Sequence, residues 1–137
     1  MQKYAETLGL QIIDLNGSYY NKVGPSEFLY MIANAEFVFT DSFHGTAFSI
    51  IFDKNFIVFR RNNTYDMSSR ITTILNKFGL TSRFYNSENN ELDDSILSLI
   101  EEIKNEDTSI VPEIMNVEKK TAERFLDRVF ANGGRVQ

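Results

Sequence analysis

Apolar positions along the chain fall into two kinds of pattern. Short unbroken runs alternate with longer stretches in which apolar residues recur every three or four positions. The clearest runs are Glu36-Phe37-Val38-Phe39-Thr40 and Phe56-Ile57-Val58-Phe59. Runs that are apolar at successive positions suit strands buried on both faces of a parallel sheet. Residues 10–15 form another strand candidate, closed by the turn signal Asn16-Gly17-Ser18, and Phe84-Tyr85 a shorter one. Between them lie predicted helices. The first covers 25–35, with Pro25 suited to a first turn and Phe28, Leu29, Ile32 and Ala35 at helical spacing. The second runs to about Phe52, and a third covers 67–78 with Ile71, Ile74, Leu75 and Phe78 on one face and Gly79 as its stop. Residues 92–103 and 113–131 read as amphipathic helices, the last with Val117, Thr121, Phe125 and Val129 four apart and with Pro112 breaking the chain before it. Residues 1–8 read as the end of a helix stopped by Gly9.

Strand, helix, strand, helix, strand is the signature of βαβ units. The expected fold is therefore α/β, a Rossmann-like parallel sheet with flanking helices, as one domain over residues 1–137. A helix end feeding a strand at the start reads as the interior of a longer alternating chain. In such a sheet the strand ends gather at one edge, which brings the turns at 16–24, 40–46 and 60–66 together.

Composition narrows the chemistry. There is no cysteine and a single histidine, so thiolate catalysis, disulfides and multi-histidine metal sites are excluded, and no metal or cofactor is expected. Net charge is −5, which argues against nucleic-acid binding. No run approaches membrane-spanning length and no signal peptide is visible, so the expected location is cytoplasmic. Charge is unevenly placed. Residues 54–83 carry six bases and one acid, whereas 88–107 carry eight acids and one base. The acidic stretch reads as a solvated face. The basic stretch directly follows the histidine.

That histidine, His44, lies in Thr40-Asp41-Ser42-Phe43-His44-Gly45-Thr46, where a strand gives way to a helix. Open α/β sheets bind ligands at such turns. A helix start offers unpaired N–H groups and the positive end of a dipole, so an anion is the natural guest. His44 is the candidate catalytic residue, or else a cap on the helix. Ser42, Gly45 and Thr46 are the residue types of a phosphate cradle, and Ser42 or Asp41 serves equally well as an ordinary N-cap. Arg60 and Arg61 end a strand on the same edge and match carboxylate or phosphate with paired hydrogen bonds; the alternative is solvation or pairing with Asp66. Arg70 either points back toward the turn or is a surface helix residue. Tyr19, Tyr20 and Tyr65 suit stacking on a sugar or plain packing.

The block from Ala35 through Phe52, together with Pro25-Ser26-Glu27-Phe28-Leu29, Lys54-Asn55-Phe56, Met67-Ser68-Ser69-Arg70-Ile71 and Leu80-Thr81-Ser82-Arg83, resembles the polysaccharide pyruvyl transferase family over roughly residues 5–130. The resemblance implies the C-terminal half of a two-domain GT-B-type glycosyltransferase fold, with an N-terminal domain as its partner. It implies transfer of a pyruvyl group from phosphoenolpyruvate to two hydroxyls of a sugar, free or on a lipid-linked oligosaccharide, in bacterial surface polysaccharide synthesis. It further implies that His44 is the donor-site histidine and that this chain alone is inactive. One branch of the family has arginine two residues before the histidine; here that position is Ser42. Two other readings compete: a non-catalytic anion- or sugar-binding module, and half of a glycosyltransferase that uses a nucleotide sugar.

Overall fold

A computed structural model of the chain describes residues 5–6, 9–15, 22–60, 68–85 and 95–131. The chain divides into two compact units, Met1–Glu106 and Asp107–Gln137. In the first unit the elements are α1 (Pro25–Asn34), β1 (Phe37–Thr40), α2 (Phe43–Ile51), β2 (Asn55–Phe59), α3 (Ser68–Phe78), a 3-10 turn (Thr81–Arg83), β3 (Phe84–Tyr85) and α4 (Ser95–Asn105). The strands form a parallel sheet in the order β1-β2-β3. Thr40 is level with Val58, and Val58 with Phe84, so the three strand ends share one edge. The expected α/β fold with a Rossmann-like parallel sheet and flanking helices is thus the one observed.

Each face of the sheet has its own cover. Strand periodicity puts Phe37, Phe39, Ile57, Phe59 and Tyr85 on one face, where they pack against Ile96, Ile100 and Ile103 of α4. Burying each such isoleucine contributes about 1.5–3 kcal/mol. Phe56 and Val58 lie on the other face and are fully buried. Helix α2 packs on β1 and β2, and Phe28 of α1 meets Phe48 of α2 edge-to-face at 6.3 Å. Ile71, Leu75 and Phe78 form the buried stripe of α3. That helix stops at Gly79, whose φ of 69° lets the N–H groups of Gly79 and Leu80 reach back to Asn76 and Leu75. The same pair of bonds recurs at Gly9, where the N–H groups of Gly9 and Leu10 reach back to Glu6 and Ala5.

Strand β3, two residues among those described, is paired with the last two residues of β2. Beside the start of β2, a side chain takes over where β3 has not yet begun. Arg83 is 3% exposed. Its Nη1 donates to the Lys54 carbonyl at 3.0 Å, its Nε to Glu106 Oε2 at 2.9 Å, and its guanidinium lies 4.7 Å from the centroid of Phe56. Ser82 Oγ also reaches Glu106, at 2.5 Å.

Two expectations are corrected. Residues 10–14 form no strand, and Leu10, Ile12 and Ile13 are exposed. An apolar run becomes a strand only when its backbone groups find a ladder partner. Pro112 does not break the chain: in the second unit it is the second residue of α5 (Val111–Ala131), in the first turn, where a missing N–H costs nothing. Ahead of α5, Asp107 Oδ1 accepts the Ser109 N–H at 3.0 Å. That bond, helped by the Ser109 side chain, holds the Asp107 carboxyl below the usual carboxylate range.

Candidate functional site

The turn between β1 and α2 is built by short-range hydroxyl contacts. Thr40 Oγ1 accepts the Ser42 N–H at 3.1 Å, which curls the chain out of the strand. Ser42 keeps extended backbone angles as the N-cap, and its Oγ accepts the Gly45 N–H at a long 3.4 Å. The N–H groups of Phe43 and His44 have no acceptor inside the helix. The start of α2 therefore presents donors and a positive dipole end at the shared edge of the sheet. The cap bond is long, so Ser42→Ala is expected to cost about 0.5–1 kcal/mol, read as a lower urea midpoint with unchanged slope.

Gly45 is where helix and strand approach most closely. A Cβ there would fall on Thr40 Oγ1 and lie 2.9 Å from Thr40 Cβ. This close packing fixes the start of α2, where His44 precedes Gly45, against the end of β1. His44 is exposed, and its ring meets Phe43 at 5.9 Å, nearly perpendicular. Thr46 is fully buried, and its hydroxyl donates to the Ser42 carbonyl at 2.9 Å. Ser49 does the same to Gly45, at 2.7 Å. These hydroxyls satisfy the backbone of a helix packed close against a sheet.

The arginines separate. Arg70, on α3, brings its guanidinium carbon to 4.4 Å from the Phe43 ring centroid. Arg60 is exposed just past β2, with its N–H directed at the Tyr85 carbonyl at 3.4 Å. Arg61, Tyr19, Tyr20 and Tyr65 lie outside the described residues. Residue spacing pointed to no role for Arg83, and it lies at the opposite end of β2, against Lys54. Its signals were its position as the one charged residue from Phe78 to Tyr85 and its place in the Leu80–Arg83 block of the resemblance.

Among the described residues no group of three or more histidine, cysteine, aspartate or glutamate side chains is placed to hold a metal ion. No helix among them is long and apolar enough to cross a membrane. At the start of α2 the arrangement offers an imidazole and helix N–H groups, with a guanidinium stacked on the neighbouring Phe43 ring. Such a set holds an anion and can carry a proton to or from it.

Residues 2–63 match the family model described as polysaccharide pyruvyl transferase, the family the sequence resembles. The matched stretch contains β1, the histidine turn, α2 and β2. No curated protein and no solved structure matches the chain.

Proposed function

We propose, on the premise of that family match, that the His44 turn is the donor site of a transferase that moves a pyruvyl group from phosphoenolpyruvate to a pair of sugar hydroxyls. The observation that carries the reading is the position of the turn. It falls inside the matched residues and opens α2 at the sheet edge where the strands end.

In this reading two sugar oxygens form bonds to C2 of the enol, the bond from C2 to the phosphate oxygen breaks, and a proton adds to the methylene, which becomes a methyl group. One hydroxyl proton balances that addition, and the other leaves with phosphate or to solvent. His44 is the group that delivers or relays a proton, since an imidazole can both donate and accept. The helix start holds charge on the phosphate or carboxylate. Ser42 and Gly45 shape this wall, and Arg60 stands at the next strand end. A second α/β half in a GT-B-like arrangement holds the acceptor, a sugar or lipid-linked oligosaccharide, and the reaction is cytoplasmic. Donor binding, rather than turnover, is therefore the measurement for this chain.

Titration with phosphoenolpyruvate is expected to shift the His44 ring resonances at millimolar ligand or below. In His44→Ala, shifts of the Gly45 and Thr46 amides are expected to need at least about tenfold more ligand, the scale of one charge-assisted hydrogen bond. A response to a nucleotide sugar with none to phosphoenolpyruvate would overturn the donor assignment. Unchanged affinity in His44→Ala would make the histidine a bystander.

A further inference from the structure

The histidine turn is short of positive charge. Residues 40–46 contain an aspartate and no lysine or arginine, yet a ligand with phosphate and carboxylate groups carries several negative charges. The helix dipole supplies only about half an elementary charge. A cation must come from elsewhere in the fold.

Arg70 is where the fold supplies one. It is thirty positions from the end of β1, but α2 and α3 pack together and bring it to the turn. Its guanidinium lies over the face of Phe43, while the His44 ring meets the same phenyl group. Arg70 is exposed, and no hydrogen bond or ion pair among the described residues ties it down. Stacking engages the flat face of a guanidinium and leaves its five N–H donors around the edge. That edge is the part that grips a carboxylate or phosphate through two parallel bonds. An unsupported arginine on a helix surface samples many rotamers, and a ring beneath it narrows that range before a ligand arrives.

We propose that Phe43 is a positioning residue that holds Arg70 as the anion anchor of the histidine turn. Arg70 supplies the fixed positive charge that residues 40–46 lack. The identity of the anion and the need for a cation rest on the donor reading above; the stacking of Arg70 on Phe43 does not.

The test compares the unaltered chain with Arg70→Gln, Phe43→Leu, Phe43→Tyr and the Arg70→Gln/Phe43→Leu double variant. Each is titrated with phosphoenolpyruvate, inorganic phosphate and pyruvate while the Gly45 and Thr46 amide resonances are followed. Urea midpoints check that each variant is folded. Arg70→Gln is expected to weaken phosphoenolpyruvate binding at least about tenfold. Phe43→Leu is expected to weaken it about two- to fivefold, and Phe43→Tyr, which keeps the ring face, by less than about twofold. The double variant should bind no more weakly than Arg70→Gln alone, because Phe43 acts through the arginine. Unchanged affinity in Arg70→Gln overturns the anchor. An additive loss in the double variant overturns the positioning role. Arg70-dependent binding of phosphate or pyruvate without any response to phosphoenolpyruvate keeps the anchor and removes the donor reading. No response to any of the three removes both.

Discussion

Replacing Gly45 by alanine is expected to cost about 2–3 kcal/mol, the scale of an overpacked core site. The added Cβ would meet Thr40 Oγ1 and Thr40 Cβ, and would come to 3.3 Å from Cγ2. A flexible side chain would swing aside, but Thr40 is branched at Cβ and its hydroxyl already accepts the Ser42 N–H. Turning it away breaks the bond that starts the turn. The remaining relief is for α2 to lift off β1, which uncovers part of the sheet and moves His44. Urea denaturation measures the loss as a lower midpoint. The cause is separable: Thr40→Gly removes the obstructing atoms, so the double variant should lose less than the sum of the two single changes. An unchanged midpoint in Gly45→Ala would show that helix and strand are not held this closely.

The second large effect is expected at Arg83. Arg83→Ala should destabilise by about 3 kcal/mol, near the lower end for breaking a buried pair. Glu106 then loses its partner while its side chain is 22% exposed, which lets water recover part of the cost. The Lys54 carbonyl loses its donor, and Phe56 loses the cation above it. Arg83→Lys should recover little of this, because the guanidinium bonds two groups in different directions with two nitrogens and an ammonium cannot reproduce that fork. Added salt should change the stability difference only slightly, since burial shields the pair from mobile ions. Equal unfolding midpoints for the unaltered chain and Arg83→Ala would contradict this account.

Local pattern was sufficient where one element settles its own shape. Pro25 and the spacing of Phe28, Leu29 and Ile32 place α1, and Gly79 ends α3 at the expected residue. The two apolar runs became β1 and β2 because each presents successive apolar side chains to the cover on both faces, half-buried along β1 and fully buried in the middle of β2. Failure came where the outcome depends on a distant partner. Residues 10–15 have the composition of a strand, but a strand is a relation between two segments, and composition names only one. A proline such as Pro112 either interrupts a helix or starts one, and with nineteen helical residues of α5 behind it, it starts one.

The candidate site was legible to the same limited extent. A strand end meeting a capped helix marked the place, and Ser42 is the cap. Spacing could not show that the Thr46 hydroxyl turns inward to the Ser42 carbonyl. Nor could it show that Arg70, separated in sequence by β2, reaches Phe43. Both depend on helix packing, which a one-dimensional pattern does not contain. The proposed role of Ser42 as a ligand contact also has to coexist with its role as the cap.

The shortness of β3 also has a mechanical meaning. Among the described residues four pairs join β1 to β2 and two join β2 to β3. Force or thermal motion that pulls the sheet apart is shared over fewer bonds at the second seam, so that seam yields first. Arg83 clamps one end of it, at Lys54, and at the other end the Arg60 N–H makes a long contact with the Tyr85 carbonyl. Opening of that seam is therefore expected to start away from Arg83, and it leaves the β1–β2 pairing and the packing of α2 on both strands in place.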